Sequence, residues 1–245
     1  NAREQGWPLL ILGGGSNMLV SDQGFPGLVL RWMDRSQELL QETSDLVRIK
    51  VGGGWVWDDW VAVSVSQNWA GLECLSGIPG TVGAAPIQNI GAYGQEVCHH
   101  IEACHVLDLE TGEQQRLNSP ECGFGYRDSR FKRDWKGRFL ITAVEFRLVP
   151  GGKPLLRYRE LQERLSLDSP SLEQVRETVL SIRRGKSMVW DRSDPNHRSA
   201  GSFFVNPVVS QEFLEPLRRE FPDLPCWPVP PDRAKLSAAW LIERA

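Results

Sequence analysis

A glycine-rich segment of 24 residues, 71–94, constrains the fold more than any other feature of the sequence. It reads GLECLSGIPGTVGAAPIQNIGAYG, and its six glycines are too many for an ordinary strand or helix, while its apolar content is too high for a flexible linker. Small residues over this length let a flat, extended ligand lie against the backbone. Gln88, Asn89 and Tyr93 add donors, acceptors and an aromatic edge. The segment therefore predicts a cofactor-binding surface, and a purely structural glycine-rich crossover is the alternative.

A second glycine cluster, GGGSN at residues 13–17, follows an apolar predicted strand over 8–12. Glycines at a strand exit permit positive φ and let backbone N–H groups face an anion, and Ser16 adds a hydroxyl. A strand is predicted over 18–21, where the dinucleotide fingerprint of a doubly wound fold would open a helix, and no Gly-Lys-Ser/Thr follows as in a Walker loop. The cluster predicts a phosphate-binding turn, with a tight hairpin turn as the alternative.

The remaining periodicity predicts an α+β fold. Strands are predicted over 27–32, 47–51, 101–109 and 141–148, and helices over 55–69, 171–183 and 235–245. Ser171 and Gln174 fit a capping box at the start of the second helix. The polar stretch 185–199 predicts a loop and a domain boundary, which gives a first domain over 1–184 and a second over 185–245.

Composition excludes several classes of protein. The apolar fraction of 41% and the charged fraction of 24% are ordinary for a soluble globular chain, and a net charge of -3 gives no general attraction to nucleic acid or to an acidic membrane. No apolar stretch approaches the roughly 20 residues of a membrane span, and no signal peptide is present, so we expect a cytoplasmic protein. The basic run over 130–133 is interpreted as a solvated face.

Metal binding is not predicted. The five cysteines include no CxxC pair, which indicates reduced, partly buried thiols instead of a disulfide framework or a zinc site. His99, His100 and His105 are close in sequence, but their spacing to cysteine and carboxylate residues matches no metal motif.

The two ends of the sequence predict a fragment. The first residue is Asn1 and not an initiator methionine, and the last eleven residues, KLSAAWLIERA, read as an amphipathic helix with no glycine or proline to end it. We therefore expect that the chain lacks both termini of the full protein.

Five motifs in order carry a resemblance to a known family. They are ILGGGSN, GLECLSGIPGTVGAAPIQNIGAYG, FGYRDSRFK, RSAGSFFVNPV and KLSAAWLIE, and they span almost the whole chain, from residue 11 to residue 242. In order and spacing they resemble the type I UDP-N-acetylenolpyruvoylglucosamine reductases, flavoenzymes that make UDP-N-acetylmuramate for peptidoglycan synthesis. The resemblance implies an α+β fold with an FAD-binding domain of the vanillyl-alcohol oxidase (PCMH-like) class, followed by a smaller α+β substrate-binding domain that is truncated here.

The resemblance also implies binding roles at the matching positions. NADPH would be the reductant of a non-covalently bound FAD, and the partner would be a UDP-sugar substrate. The cofactor would be held by Gly13, Gly14, Gly15, Ser16, Asn17, Ile78, Pro79, Gly80, Gly83, Ala84, Ala85, Gln88, Asn89 and Gly91. The substrate would be held by Tyr93, Tyr158, Arg183, Lys186, Asn206 and Lys235. Trp227 stays unassigned, because its indole cannot copy the hydroxyl of the tyrosine that some members have there.

Two residues are candidates for the chemistry. Hydride reduction of an enolpyruvyl ether places negative charge beside a carboxylate, so the site needs a cation and a proton donor. Arg127 in GYRDSRFK suits the first task, and Ser202 in AGSFFVNP suits the second. The alternatives are a salt bridge from Arg127 to Asp128 or Glu121, and a capping role for Ser202.

Two other functions compete with the reductase. The family has a third catalytic group, a glutamate near its C-terminus, and this sequence ends before it, so flavin or nucleotide binding without turnover is the alternative. An oxidase with covalently attached FAD is a weaker alternative, because no cysteine or histidine stands in a motif that supports the attachment.

Overall fold

The structure is a computed structural model that describes residues 5–165, 169–198 and 203–245. Its contacts divide the chain into two compact units, Asn1–Ser199 and Ala200–Ala245. The strands of the first unit are β1 (Leu9–Ile11), β2 (Leu28–Leu30), β3 (Gln37–Glu42), β4 (Val47–Gly52), β5 (Trp69–Ala70), β6 (Gly91–Ala92), β7 (Gln95–Glu96), β8 (Ile101–Asp108), β9 (Gln114–Asn118) and β10 (Phe139–Pro150). Its helices are α1 (Trp57–Ser66), α2 (Arg159–Leu165) and α3 (Leu172–Gly185). The second unit contains β11 (Val208–Ser210), α4 (Gln211–Glu220), β12 (Cys226–Val229), β13 (Arg233–Leu236) and α5 (Ala238–Glu243).

A six-stranded sheet forms the frame of the first unit, with the order β3-β4-β10-β8-β9 and with β5 on the end of β10. The pairings are antiparallel. The central strand, β10, is mostly buried and carries register shifts between Ile141 and Ala143. Such a bulge exposes a carbonyl to other partners, and the Thr142 oxygen accepts bonds from the Gly53 N–H at 2.7 Å and the Trp32 Nε1 at 2.9 Å.

The core of the first unit anchors the start of the glycine-rich segment. Trp57 and Trp60 of α1 are fully buried, and the Trp60 ring stacks on Phe146 of β10 with centroids 5.9 Å apart. The Trp57 Nε1 donates to the Leu75 carbonyl at 3.0 Å, which satisfies the indole and fixes the backbone of the segment. The packing of α1 on the sheet thus sets where the glycine-rich segment begins.

Helix α3 begins at the predicted capping box, which is confirmed: the Ser171 side chain accepts from the Gln174 N–H, and the Gln174 side chain accepts from the Ser171 N–H. Its apolar face, with Val175, Val179 and Ile182, packs in a small core with Leu161 of α2.

The second unit has its own small core. Its three strands pair antiparallel in the order β11-β13-β12. Leu214, Leu224, Ala234 and Leu236 are buried between this sheet and its helices. Among the described residues of either unit, no helix combines the length and the apolar character needed to cross a membrane.

Several expectations about local structure are wrong. Residues 18–21 form no strand, and Leu19 is fully exposed. The helix predicted from Lys235 is a strand up to Leu236, and α5 begins only after Ser237, whose side chain accepts from the Trp240 N–H. Strand β3 was missed because its six residues are all exposed, so it has no apolar alternation to reveal it and is held by pairing with β4.

The unit boundary lies after residue 199, whereas the sequence predicted a domain boundary after residue 184. Residues just past 184 contact the first unit: the Lys186 Nζ lies 2.9 Å from the Glu160 carboxylate, and the Met188 carbonyl accepts from Arg183. The division into functional domains at residue 184 stays a prediction.

Candidate cofactor and substrate site

The turn Gly13–Asn17 lies directly against the glycine-rich segment. A side-chain carbon at Gly14 would sit 2.9 Å from the Cα of Gly80, and one at Gly80 would sit 3.7 Å from the Ser16 Oγ. In the part of the chain that is described, no N–H of Gly13–Asn17 donates to a backbone carbonyl. Exposed N–H donors at a close-packed glycine turn fit an anionic group such as a pyrophosphate.

Residues 80–85 pack against the backbone of Gly53 and of strand β10. The Gly83 N–H donates to the Gly53 carbonyl at 2.9 Å. A side-chain carbon would sit 2.8 Å from the Ile141 oxygen if placed at Gly83 and 2.7 Å from it if placed at Gly53. Real Cβ atoms do not approach this closely, so glycine is required at both positions for the turn to pack on the central strand.

A cavity of about 350 Å³ opens between these turns and the sheet. Its lining is mainly apolar, but Lys132 and Lys136 bring positive charge to it. An apolar cavity with a few convergent polar groups is typical of sites for aromatic cofactors. The lining also includes Leu10, Gly13, Thr81, Ala84 and Phe139. Lys132 and Arg133 are exposed, as expected for a solvated 130–133 run, and Lys132 also lines this cavity.

Arg127 lies at the tip of a two-residue hairpin turn. Gly125 and Asp128 bridge its base through reciprocal backbone bonds of 3.0 and 3.2 Å. Arg127 itself has φ +53°, in the left-handed region, and its Nη2 donates to the Gly91 carbonyl at 2.6 Å. The guanidinium is thereby held beside the glycine-rich segment.

The acidic neighbours of Arg127 have other partners. Asp128 pairs with Arg133, and the Glu121 carboxylate accepts from the backbone and side chain of Asn118 in a capping box. Within the described residues, neither of the salt bridges considered as alternatives for Arg127 is formed.

Asn89 fastens the Arg127 hairpin to the glycine-rich segment. Its Nδ2 donates to the Gly125 carbonyl at 2.9 Å and to the Glu96 Oε2 at 2.8 Å, and its Oδ1 accepts from the Cys98 N–H at 3.1 Å. The residue is only 1% exposed. Both amide donors and the carbonyl thus serve protein partners. The Asn89 side chain therefore has a positioning role, and contact of Asn89 with the cofactor stays a prediction.

Two further bonds hold the same hairpin. The buried Ser129 Oγ donates to the Ile87 carbonyl at 2.5 Å, and the Lys132 Nζ donates to the Arg127 carbonyl at 2.8 Å. Neither bond was predicted beyond the membership of Ser129 and Lys132 in the FGYRDSRFK motif. The Ser129 bond depends on how two distant segments pack, whereas the Lys132 bond closes a turn of the motif itself.

Four predicted substrate residues lie together near the ends of α2 and α3. The Tyr93 and Tyr158 rings meet edge to face with centroids 5.4 Å apart. Burial raises the pKa of Tyr93, and the Arg183 charge and its hydrogen bond to the Tyr93 side chain partly offset that rise. Lys186 pairs with Glu160 at the rim of this group. The cluster presents two phenols and two cations within one part of the first unit.

Arg183 is a partly buried cation in that cluster. Burial lowers the pKa of the Arg183 guanidinium. The charges of Tyr93 and Asp58 raise that pKa and offset part of the decrease, whereas the nearby charge of Arg127 lowers it further. Its Nη2 donates to the Met188 carbonyl at 2.9 Å, while its Nε is buried and has no hydrogen-bond partner among the described residues. Two neighbouring guanidinium groups create a local positive potential, which favours an anionic ligand.

Asp58 is a positioning residue that the sequence did not reveal. Its carboxylate accepts two bonds from Arg176 of α3, at 2.6 and 2.8 Å, and one from the Gly77 N–H at 2.6 Å. Burial raises the pKa of Asp58, but the bonds from Arg176 and Gly77 outweigh it, so the pKa lies below its ordinary value. The carboxylate thus joins α1, α3 and the glycine-rich segment.

The remaining predicted cofactor residues differ in exposure. Ala85 is 2% exposed and belongs to the core, and its contact with the cofactor stays a prediction. Ile78 packs against that core while half-exposed, Pro79 is exposed and Gln88 is half-buried.

Candidate residues of the second unit are described by themselves. Ser202 lies outside the described residues. The Asn206 Oδ1 accepts from the Ala238 N–H at 2.9 Å, at the start of α5. The Lys235 Nζ lies 5.5 Å from the centroid of the Trp227 ring, its register partner on β12. Trp227, unassigned from the sequence, therefore positions the Lys235 ammonium through a cation–π contact.

Comparison with known proteins identifies the family. Residues 1–118 match the FAD binding domain family. The chain is 44% identical to the UDP-N-acetylenolpyruvoylglucosamine reductase of Salinispora arenicola (strain CNS-205), over 100% of this chain and 69% of the relative. It is 45% identical to the reductase of the same name from Thermobifida fusca (strain YX), over 98% of this chain and 70% of the relative. The chain belongs to the UDP-N-acetylenolpyruvoylglucosamine reductase family.

A solved reductase structure agrees with this assignment. The crystal structure of UDP-N-acetylenolpyruvylglucosamine reductase (MurB) from Thermus caldophilus matches with a TM-score of 0.57 and 26% identity, covering 84% of this chain and 64% of that chain. The predicted family and the α+β FAD-binding fold class are confirmed.

Three of the five family motifs lie together in the first unit. GGGSN packs on the glycine-rich segment at Gly80, and FGYRDSRFK is bonded to the same segment through Asn89, Ile87 and Gly91. Three motifs that are far apart in sequence therefore build one surface. Residues 203–208 of RSAGSFFVNPV and all of KLSAAWLIE lie in the second unit, on and beside β11, β13 and α5.

Proposed function

We propose that this chain binds FAD without a covalent bond and uses NADPH to reduce UDP-N-acetylglucosamine enolpyruvate to UDP-N-acetylmuramate, a step of peptidoglycan synthesis. One observation carries the proposal: the Arg127 guanidinium is bonded to Gly91 on the glycine-rich segment, against which the GGGSN turn also packs. A fixed cation beside a phosphate-type turn suits a flavin site that reduces an anionic substrate.

The residues present fit FAD. The N–H groups of Gly13–Asn17 would donate to the pyrophosphate, and the Gly80–Ala84 turn would lie against the cofactor, since glycine there leaves the backbone open to close approach. The cavity of about 350 Å³ beside them has the apolar lining that an aromatic ring system needs. Bound FAD would supply the hydride that reduction of the enolpyruvyl double bond requires.

Arg127 would stabilise the charge that develops on the substrate. Hydride addition to the enolpyruvyl group builds negative charge next to its carboxylate, and a guanidinium stays charged at any physiological pH. Because Asn89, Ser129 and Lys132 hold its hairpin, the cation would be in place before the charge forms. The Ser202 hydroxyl would then protonate the adjacent carbon.

The basic and aromatic cluster would hold the UDP part of the substrate. Arg183 and Lys186 would face its diphosphate, and Tyr93 and Tyr158 would cover the substrate beside the cofactor. Asn206 and Lys235 stay candidates for contacts with the substrate. We further propose that residues 1–184 serve as the FAD-binding domain and 185–245 as part of the substrate-binding domain, and that the protein works in the cytoplasm, where its proposed substrates are made.

The first test is a visible spectrum of the purified chain, before and after anaerobic NADPH, followed by the enolpyruvyl substrate. We expect flavin bands that NADPH bleaches and that the substrate restores, with UDP-N-acetylmuramate as product. Flavin that is bleached but not reoxidised by the substrate would mean that the chain binds the cofactor without turnover. A protein that stays colourless with added FAD would contradict the proposal.

A variant pair tests the role of Arg127. Replacing Arg127 by Met should slow reoxidation by the substrate about 10²–10³-fold, the usual cost of losing one group that stabilises developing charge, while flavin bands and NADPH bleaching persist. Arg159→Met is the matched control, because the Arg159 side chain is 90% exposed on α2 and pairs only with Glu163 among the described ion pairs. Equal rates in the two variants would remove Arg127 from the reaction.

A further inference from the structure

A group of potential metal ligands lies outside the cofactor and substrate site. Glu96 ends β7, and Cys98 and His99 follow in a 3-10 turn, Val97–His99. One ligand atom from each of the three lies within 4.8 Å of the others. The Cys98 Sγ is 3.8 Å from the Glu96 Oε2.

These three side chains suit zinc. Thiolate, imidazole and carboxylate are its usual protein ligands, at about 2.0–2.3 Å from the metal, and a tetrahedral arrangement then places ligand atoms about 3.5 Å apart. The sulfur and the carboxylate already meet that spacing to within a few tenths of an ångström. His99 is exposed, so rotation of its side chain can bring the ring nitrogen the remaining distance. A carboxylate and a thiolate together neutralise the charge of Zn²⁺.

The buried Asn89 side chain holds Glu96 and Cys98 of this group in place. The Asn89 Nδ2 donates to the Glu96 Oε2, and the Asn89 Oδ1 accepts from the Cys98 N–H, so one buried side chain orients two of the three residues. Outer-shell bonds of this kind fix metal ligands in their binding geometry. Asn89 therefore positions these residues as well as the Arg127 hairpin.

The open side of the group faces a separate cavity. Cys98 and His99 line a surface cavity of about 800 Å³, which shares no lining residue with the smaller cavity beside the GGGSN turn. The cavity also contains Arg48, whose charge is compensated by two bonds to Glu102, at 2.5 and 2.7 Å. Water in the cavity can reach a metal from the side that the protein leaves open.

We propose that Glu96, Cys98 and His99 form a binding site for Zn²⁺, with water from the adjoining cavity as the fourth ligand. No metal site was predicted from the sequence, because the E-x-C-H spacing matches no common zinc motif. The short turn after β7 is what places the three side chains on one side of the chain. The proposal does not depend on the reductase activity, since it uses none of the residues assigned to that reaction except Asn89, through its outer-shell bonds.

Cobalt titration tests the site with a spectroscopic readout. Co²⁺ is added to the purified chain, with whatever flavin it retains, and difference spectra are recorded in the near ultraviolet and beyond the flavin bands. We expect one equivalent of Co²⁺ to produce a thiolate charge-transfer band and tetrahedral ligand-field bands, and Zn²⁺ to displace both. Cys98→Ser should abolish the charge-transfer band. Cys226→Ser, at another half-buried thiol, is the matched control and should keep it.

A calorimetric titration with Zn²⁺ gives a second measurement. His99→Ala should weaken Zn²⁺ binding by more than about tenfold, since loss of even an outer-shell partner costs about 10–100-fold. His99 is exposed, so this variant should fold even if Cys98→Ser does not, which circular dichroism checks. Absence of the cobalt bands, their persistence in a folded Cys98→Ser variant, or unchanged Zn²⁺ affinity in His99→Ala would each overturn the proposal.

Discussion

Replacing Gly14 by alanine should specifically weaken FAD binding. The new Cβ would sit 2.9 Å from the Cα of Gly80, and ordinary contact begins near 3.4 Å, so the two backbones must separate by about 0.5 Å. A bond of about 2.9 Å from the turn to a phosphate oxygen would then lengthen to about 3.4 Å, beyond the useful range. Each charge-assisted bond contributes about 1.5–3 kcal/mol, so losing one of them should raise the Kd of FAD about 10–100-fold.

The assay is a titration of flavin-free protein with FAD, followed by the change in flavin fluorescence. Gly185→Ala is the matched control, because no described atom beyond its own helix backbone lies within 4 Å of the position that its Cβ would take and Gly185 is not assigned to the cofactor. We expect the control to change the Kd by less than about threefold, or less than about 0.7 kcal/mol. Equal affinities for Gly14→Ala and wild type, with the fold intact, would refute a pyrophosphate-binding role for this turn.

Two other substitutions test the frame around the site. Hydrogen bonds from Arg116, then from His105, lower the pKa of Glu145 to about 2 from its ordinary 4.5, so its stabilising effect is complete above pH 4.5 and is lost as the pH falls toward 2. Glu145→Gln should cost about 2–3 kcal/mol at pH 7, with solvent at half-exposed Arg116 screening part of the effect, and should flatten the loss of stability between pH 4.5 and 2 in urea denaturation. A pH dependence identical to that of the wild type would contradict this. Asn89→Ala removes three bonds and should destabilise the fold by about 2–4 kcal/mol. In the same variant, the rate at which the enolpyruvyl substrate reoxidises the reduced flavin should fall by a larger factor than the affinity for FAD. A larger fall in FAD affinity would instead indicate direct contact between Asn89 and the cofactor.

The parts of the site that could be predicted from the sequence are those with a local physical cause. Three consecutive glycines predict the turn at GGGSN, and Ser171 with Gln174 closes a capping box over four residues. Such features follow from backbone geometry and residue chemistry near the position concerned. The bond from Arg127 to the Gly91 carbonyl is of a different kind, because it joins segments 36 residues apart, and Arg127 was singled out by the resemblance of its motif.

The features that were missed depend on contacts between distant segments. The side chain of Asn89 bonds to the Gly125 carbonyl, to Glu96 and to the Cys98 N–H, and none of these three bonds was predicted. Strand β3 is exposed along its whole length, and only its partner β4 makes it a strand. Neither fact is encoded in a local pattern, because each depends on which distant backbone is adjacent.

Glycine is needed in this reductase for two different reasons, and the reason at each position determines how a substitution there should be interpreted. At Gly53 and Gly83, a Cβ would collide with the carbonyl of Ile141 on the central strand, so these positions need glycine whether or not a ligand is bound. The Gly13–Asn17 turn differs, because within the described chain none of its N–H groups donates to a backbone carbonyl, so they are available to a ligand. Loss of FAD after a change at Gly53 or Gly83 would therefore report on folding. Loss of FAD binding in a folded Gly14→Ala variant would instead indicate a lost contact with the pyrophosphate. Only this second result can therefore assign the cofactor to the Gly13–Asn17 turn.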